Sequence, residues 1–306
     1  LSNNPVGHAE IIAPRIKEPD VNRVIVEGEN FNIEFSKVDG FLCRYDVNGV
    51  SMIEKGSSLT PNFWRAGTDN DYGARLNLKY KVWKNPVMKL NNITSKVENS
   101  MVYVDAEYQM PEVFSTLRLS YVINNEGAIQ VTQKLLTDKG KKVPNMFRYG
   151  MRMRMPKEMY YSHFYGRGPV ENYIDRNHNS FVGIYKMTTQ EQFYPYIRPQ
   201  ENGCKTDIRW WNQTNKGGIG LNFVASKPFS MVALNYTIES LDDGDLKDQR
   251  HSGQVEPADF IEVCIDYAQQ GLGGENSWGS TCLPQYRLTY KDYEFTYQIK
   301  PLDTVY

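Results

Sequence analysis

Short runs in which apolar and polar residues alternate recur along almost the whole chain. Clear examples are Arg23-Val24-Ile25-Val26-Glu27, Phe31-Asn32-Ile33-Glu34-Phe35 and Val102-Tyr103-Val104-Asp105-Ala106. Two further runs are Leu117-Arg118-Leu119-Ser120-Tyr121-Val122-Ile123 and Ile129-Gln130-Val131-Thr132-Gln133-Lys134-Leu135. They are joined by Asn124-Asn125-Glu126-Gly127-Ala128, whose residues are those of a hairpin turn. The same rhythm returns at 147–155, 219–225, 230–238, 260–267, 285–290 and 293–299. A period of two sends successive side chains to opposite faces, so each run predicts a strand with one buried and one wetter face. Helical periodicity is scarce. Residues 239–250 are the best candidate, and Asp242, Asp243 and Gly244 make any helix there short. Many short strands with turn signals predict an all-β chain, a large antiparallel sandwich or a barrel, with few short helices.

Composition supports that reading. The chain of 306 residues carries 21 Tyr, 13 Phe and 5 Trp beside 23 Gly and 15 Pro, a balance that favours sheet and turn over helix. There is no internal repeat or low-complexity tract. Residues 1–20, polar and holding Pro5, Pro14 and Pro19, are expected to be a tail or an interdomain linker, leaving residues 21–306 as one large β domain. A net charge of -1 provides no electrostatic footprint for nucleic acid or an anionic membrane. Nothing approaches the eighteen or so consecutive apolar residues of a membrane helix. The chain starts at Leu1 with a polar stretch, and is expected to be a mature product or an excised piece, with no compartment signal to read. Cys43, Cys204, Cys264 and Cys282 lie too far apart for a metal or redox motif and are expected to be structural thiols, Cys264 in the core.

Four segments concentrate the candidate chemistry. In Phe63-Trp64-Arg65-Ala66-Gly67-Thr68-Asp69-Asn70-Asp71 the Asp-Asn-Asp triplet offers hard oxygens for Ca²⁺ but lacks a twelve-residue loop with its closing Glu, so turn capping is the expected use. In Tyr165-Gly166-Arg167-Gly168-Pro169-Val170-Glu171-Asn172-Tyr173-Ile174-Asp175-Arg176, Glu171 and Asp175 invite an acid–base pairing, while Arg167 and Arg176 offer them ion-pair partners. Tyr194-Pro195-Tyr196-Ile197-Arg198-Pro199-Gln200-Glu201-Asn202-Gly203 mixes aromatics and charges as a binding rim or domain interface does. The last segment, Gly271-Leu272-Gly273-Gly274-Glu275-Asn276-Ser277-Trp278-Gly279-Ser280, has four glycines in nine residues and cannot be regular helix or strand. It predicts a tight loop carrying one large ring, either a core tryptophan or a face offered to an apolar surface such as a sugar. His8, His163, His178 and His251 show no metal spacing, and no complete catalytic constellation is visible.

Taken in order, these segments resemble the C-terminal domain of the large bacterial β-galactosidases of glycoside hydrolase family 2. The likeness rests on Phe63 to Ala66 with Asp69, Asn70 and Asp71; on Tyr165 to Pro169 with Glu171, Asn172, Tyr173, Asp175 and Arg176; on Tyr194, Tyr196, Pro199 and Glu201-Asn202-Gly203; and on Gly271 to Trp278. It covers roughly residues 22–300. The resemblance implies a single antiparallel β-sandwich of the galactose-mutarotase-like supersandwich type. It implies that the catalytic (β/α)₈ barrel of the same polypeptide, with its glutamates, lies outside this chain, and that the parent enzyme is a homo-oligomer. It implies that Trp278 forms part of the β-galactoside platform, chiefly toward the leaving-group or acceptor sugar, with Asn276 beside it as a lesser candidate. No catalytic role is carried onto Glu171, Asp175 or Glu275. No cofactor or metal is implied for this domain; a divalent cation, where used, belongs to the catalytic domain. Two departures stand out: Gly67 replaces a usual proline, and Glu275 a frequent Asp.

Other functions remain open at this stage. An aldose mutarotase or epimerase shares the implied fold and needs a general acid and base, for which His163 or His178 with Glu171 or Glu262 are the available residues. A free-standing carbohydrate-binding module would use Trp278 without any barrel.

Overall fold

The computed structural model describes residues 13–276 and 278–302. Five short strands open it: β1 (Arg15–Lys17), β2 (Arg23–Glu27), β3 (Phe31–Ser36), β4 (Leu42–Val47) and β5 (Val50–Ser51), paired in that order as a small sheet. The predicted alternation becomes burial here: Val24, Val26, Ile33 and Phe35 point inward while their neighbours stay wetter. Arg15, Ile16 and Lys17, inside the stretch expected to be a tail, pair with Glu27, Val26 and Ile25 as an edge strand. Residues 1–12 of that stretch lie outside the described residues.

The second sheet has twelve strands. After β6 (Thr60–Asn62), a meander runs through β7 (Lys89–Glu98), β8 (Met101–Met110), β9 (Ser115–Ile123) and β10 (Ile129–Thr137). It continues with β11 (Arg148–Pro156), β12 (Tyr161–Gly168), β13 (Phe181–Thr188), β14 (Lys205–Thr214), β15 (Gly220–Leu234), β16 (Phe260–Gln269) and β17 (Tyr293–Leu302). The main path is β13-β12-β14-β15-β17-β10-β9-β8-β7, and all pairings are antiparallel.

The long strand β15 is the branch point. Its first half, from Gly220 to Ala225, pairs with β17, and its second half, from Ser230 to Leu234, pairs with β16. The runs at 219–225 and 230–238 are therefore one strand for most of their length, where the alternation suggested two. Pro228, which has no N–H to give a ladder, stands in the gap between the two partners. Residues 285–290 also depart from expectation: a 3₁₀ turn at Pro284–Tyr286 replaces the first part of the strand, and only Leu288 bridges, to Met146. The helical candidate shrinks to one turn, Ile238–Leu241, capped at its start by Thr237.

Both sheets bury their apolar faces in one core. Phe35 meets Tyr121 edge-on at 4.9 Å, Phe41 stacks on Tyr108 at 5.4 Å, and the Tyr45 hydroxyl donates to the Gly127 carbonyl at 2.6 Å. Each aromatic pair adds about 0.5–1.5 kcal/mol beyond its buried area. The architecture is the expected large antiparallel β-sandwich, with a small sheet closed over a curled large one. The four cysteines are free, and Cys264 is in the core as expected.

A smaller apolar cluster gathers Trp64, Tyr80, Phe147, Tyr173, Cys204 and Leu234, with Leu272 packed against it. Beneath it lies Arg148, fully buried, whose Nη2 donates to Glu201 at 2.9 Å and whose Nε stands 3.1 Å from Asp266 without hydrogen-bond alignment. Two carboxylates thus share one cation. Burial outweighs the pull of Arg148 and pushes Asp266 up to about 7. Its protonation therefore favours the fold in acid, and that contribution fades as pH rises from near 4 toward 7. Arg148→Met leaves both carboxylates without their cation. The expected loss is about 3–5 kcal/mol by urea denaturation at neutral pH. The deficit should grow above pH 7, where Asp266 ionises beside Arg148 in the native chain but is held protonated by burial in the variant; a deficit unchanged between pH 6 and pH 9 would refute the account.

Candidate functional site

Residues 271–280 leave β16 as an irregular loop, as the glycines predict. Its base is held from three directions. Asp175 accepts from the amides of Leu272 at 3.1 Å and Gly273 at 2.8 Å. Asn70 donates from Nδ2 to the Leu272 carbonyl at 3.1 Å. The Gly271 amide donates to the Tyr286 carbonyl at 2.9 Å. The first glycine is required by this closeness: a Cβ at Gly271 would stand 2.5 Å from the Asp175 carboxylate. Gly274 is similar, because a Cβ there would meet the Ser280 carbonyl at 2.5 Å, where the loop returns on itself.

The strongest clamp is Arg65, with no exposed side-chain surface. Nε and Nη2 form a two-point contact with Asp71 at 3.0 and 2.8 Å. Nη1 donates to Gln269 Oε1 at 3.1 Å and to the Gln270 carbonyl at 2.5 Å, and Nη2 reaches the Gly271 carbonyl at 3.2 Å. The guanidinium also lies 4.7 Å from the centre of the Phe147 ring. Asp71 also closes a capping box with Thr68 at the start of α1 (Asp69–Gly73). The turn-capping use expected of the first motif is thus present, and Asp71 serves the loop as well, through Arg65.

The tip of the loop is open. Trp278 is 92% exposed, and its amide donates to Asn276 Oδ1 at 2.9 Å, the hydrogen bond of an Asx turn. Asn276 is itself exposed, with this carbonyl oxygen committed to the loop. Among the described residues, neither Trp278 nor Asn276 meets a partner from another segment. Of the two readings of the loop, the core tryptophan is therefore corrected: the ring is outside. Ser277 lies outside the described residues.

The other candidates are placed elsewhere. Asp69 turns outward to Arg198 and Lys247, away from Asp71. Among the described residues, no group of three or more His, Cys, Asp or Glu is arranged to hold a metal ion. Glu171 pairs with Arg176 at 2.6 Å and also accepts from the Tyr196 hydroxyl and the Gly203 amide. Arg167 pairs instead with Asp207. Glu171 and Asp175 thus commit their oxygens to separate structural partners. His163 packs edge-on against Trp210 at 5.0 Å, and no hydrogen bond or ion pair among the described residues joins His163 or His178 to Glu171 or Glu262. Glu262 is buried, accepts from the Ile238 amide, and is pushed up by that burial. Glu275 is exposed. Sequence reading missed Arg65 and Asn70 as loop anchors, although an arginine inside the aromatic run Phe63-Trp64-Arg65-Ala66 is itself a signal that a buried cation needs acceptors.

The family model described as the β-galactosidase small chain matches residues 27–299. The chain belongs to the β-galactosidase small-chain family. It is 31% identical over 280 residues to a β-galactosidase of Priestia megaterium, covering 90% of this chain and 26% of that protein. It is 28% identical over 293 residues to the β-galactosidase of Streptococcus thermophilus, covering 94% and 28%. The small-chain domain described here thus spans about a quarter of the length of these relatives. Its fold is that of a galactose mutarotase related enzyme from Lactobacillus acidophilus, with a TM-score of 0.51 at 8% identity over 92% of this chain and 98% of that one. A galactose mutarotase-like protein from Lactobacillus casei gives 0.50 at 11% identity over 92% and 100%. The expected family and the supersandwich fold class are both found.

The clamp makes a direct prediction for this small-chain domain. Hydrogen bonds to a charged acceptor contribute about 1.5–3 kcal/mol. Asp175→Asn should therefore speed hydrogen exchange at the Leu272 and Gly273 amides by roughly 10- to 100-fold. Exchange in the β8–β9 meander should not change. Equal exchange at both amides in the variant would show that Asp175 does not hold the loop.

Proposed function

We propose that this chain is the non-catalytic domain of a β-galactosidase that hydrolyses terminal β-D-galactosides. In this reading Trp278 completes the substrate platform of a catalytic (β/α)₈ barrel domain of the same polypeptide, facing the leaving-group or acceptor sugar. Asn276 positions the indole through the Asx turn and lies beside the sugar. The observation that carries the reading is the loop itself: an indole 92% exposed on a base held by Arg65, Asp175 and Asn70.

Three further points support it. An exposed indole on a fixed base carries a hydration cost in isolation and recovers it only against a partner, which a sugar's C–H face supplies. The full-length relatives are β-galactosidases in which this domain is about a quarter of the chain. A retaining glycosidase needs two carboxyls about 5–5.5 Å apart across the scissile bond, and the tempting pair here, Glu171 and Asp175, is engaged by structural partners. Indole stacking contributes about one kcal/mol by analogy with aromatic pairs. That orients a sugar but falls far short of the roughly eight kcal/mol or more that glycosidase rate enhancement demands.

The purified 306-residue chain is expected to leave an aryl β-galactoside intact; hydrolysis that survives stringent purification would sink the proposal. In the intact enzyme, Trp278→Ala should raise KM for a disaccharide galactoside roughly five-fold. The stability of the domain should stay within about 0.5 kcal/mol, since the exposed ring packs on nothing. An unchanged KM would remove Trp278 from the platform.

A further inference from the structure

A glycine that follows an asparagine has no side chain to shield its backbone nitrogen, which can then reach the asparagine carboxamide carbon. The chain holds two such steps, Asn48-Gly49 and Asn202-Gly203. The same chemistry is available to both, and the fold treats them in opposite ways.

Asn202-Gly203 is held at every group the reaction needs. Asn202 is 2% exposed, its Oδ1 accepts from the Tyr194 amide at 3.1 Å, and its Nδ2 donates to the Gln200 carbonyl at 3.0 Å. The Gly203 amide, the attacking group, donates instead to Glu171 Oε2 at 2.8 Å. Freeing this step breaks three hydrogen bonds, one of them to a carboxylate, beside the buried Arg148–Glu201 pair. Opening there therefore draws on the stability of the surrounding core.

Asn48-Gly49 is the reverse case. The two residues make the turn between β4 and β5, closed by the pairing of Val47 with Val50. Their φ values are 50° and 77°, the left-handed conformation that a two-residue hairpin turn requires and Asn-Gly supplies. Both residues are exposed. The Asn48 amide donates to the Asn30 carbonyl at 2.7 Å, but among the described residues neither the Asn48 carboxamide nor the Gly49 amide has a hydrogen-bond partner. A Cβ at Gly49 would meet nothing within 4 Å, so no neighbour crowds the step. Because β5 has two residues and lies at the edge of the small sheet, a rotation that brings the Gly49 nitrogen to Asn48 Cγ needs only local opening.

We propose that Asn48 is a site of spontaneous deamidation, with water as co-reactant, and that the fold protects Asn202 from it. Hydroxide takes the Gly49 amide proton, and the nitrogen bonds to Asn48 Cγ. The Cγ–Nδ2 bond breaks, and ammonia leaves with a proton from water, which regenerates the hydroxide. Water then opens the resulting succinimide ring at either carbonyl, giving aspartate at this position or isoaspartate, in which the backbone runs through the side chain. No group is oxidised or reduced. Either product adds one carboxylate, which takes the formal net charge from -1 to -2. The new charge stands on a cleft of about 700 Å³ that Asn48 lines with Glu29, Glu126 and Lys300. The site does not depend on the role proposed for Trp278.

Incubation of the folded 306-residue chain at mildly alkaline pH, followed by peptide mass mapping, tests this. The peptide spanning residues 45–55 should gain about 1 Da and resolve into two products. The peptide holding Asn202 should convert at least about ten-fold more slowly. In urea, where neither step is held, the two rates should come within about three-fold of each other. Asn48→Asp should reproduce the acidic shift of the incubated chain on isoelectric focusing. Equal or reversed rates in the folded chain would overturn the proposal. So would an Asn48 that stays intact in the folded chain yet converts in urea, because the turn would then be a shield.

Discussion

One buried guanidinium organises the functional end of this domain. Arg65 arrives with the first motif, takes its counter-charge from Asp71 six residues later, and directs its remaining donors to Gln269, Gln270 and Gly271, more than 200 residues away. Removing such a cation from water is costly, and a buried ion pair is weak evidence for stability by itself. What it does supply is geometry. A planar fork with fixed donor directions admits one placement of the carbonyls of residues 270 and 271. The end of β16, and with it the start of the loop, is therefore set to within a hydrogen-bond length.

Asp175 completes this arrangement from the opposite charge. Arg65 binds the carbonyl oxygens of Gln270 and Gly271 and Asp175 the amides of Leu272 and Gly273; with the Tyr286 carbonyl on the Gly271 amide and Asn70 on the Leu272 carbonyl, the three peptide groups from 270 to 273 are each held at both ends. The tip has the reverse character: an Asx turn closed by Asn276, small residues, and an indole with no packing partner among the described residues. A rigid base with a bare aromatic tip limits the entropy lost when the ring meets a partner, because the backbone beneath it is ordered beforehand. Glycine serves both parts, giving close approach at Gly271 and a sharp return at Gly274.

How much of this was readable from the chain depends on the distance over which each feature is determined. The strands at 102–106, 117–123 and 129–135 were legible because period-two burial is local and needs no knowledge of the partner. The run at 285–290 misled because Tyr286, Leu288 and Tyr290 alternate, yet Pro284 starts a turn and Arg287 is drawn to the Cys282 carbonyl. The fusion of two strands into β15 was invisible because it depends on β16 and β17 sharing one edge. Trp278 could be singled out from its glycines, but its exposure could not, since local composition suits a buried ring equally well. The role of Asp175 was hidden for the same reason: its partners lie 97 and 98 residues away.

The fate of the acidic residues bears on where chemistry can occur. A carboxylate acts as acid, base or nucleophile only if an oxygen is free to meet the substrate. In this domain four motif carboxylates are consumed: Asp71 by Arg65 and a helix start, Asp175 by loop amides, Glu171 by Arg176, Tyr196 and Gly203, Glu201 by Arg148 and Gln269. The same residues that make the segments resemble a glycosidase thus build a scaffold, and what that scaffold presents to solvent is the Trp278 indole, a group suited to stacking on a sugar. Freeing Asp71, Asp175 or Glu201 for catalysis would release the loop or leave a buried arginine uncompensated, and freeing Glu171 would take the shared acceptor from Arg176, Tyr196 and the Gly203 amide. Recognition and catalysis are therefore in conflict within these motifs, and the proposed placement of catalysis in a separate domain would resolve that conflict physically.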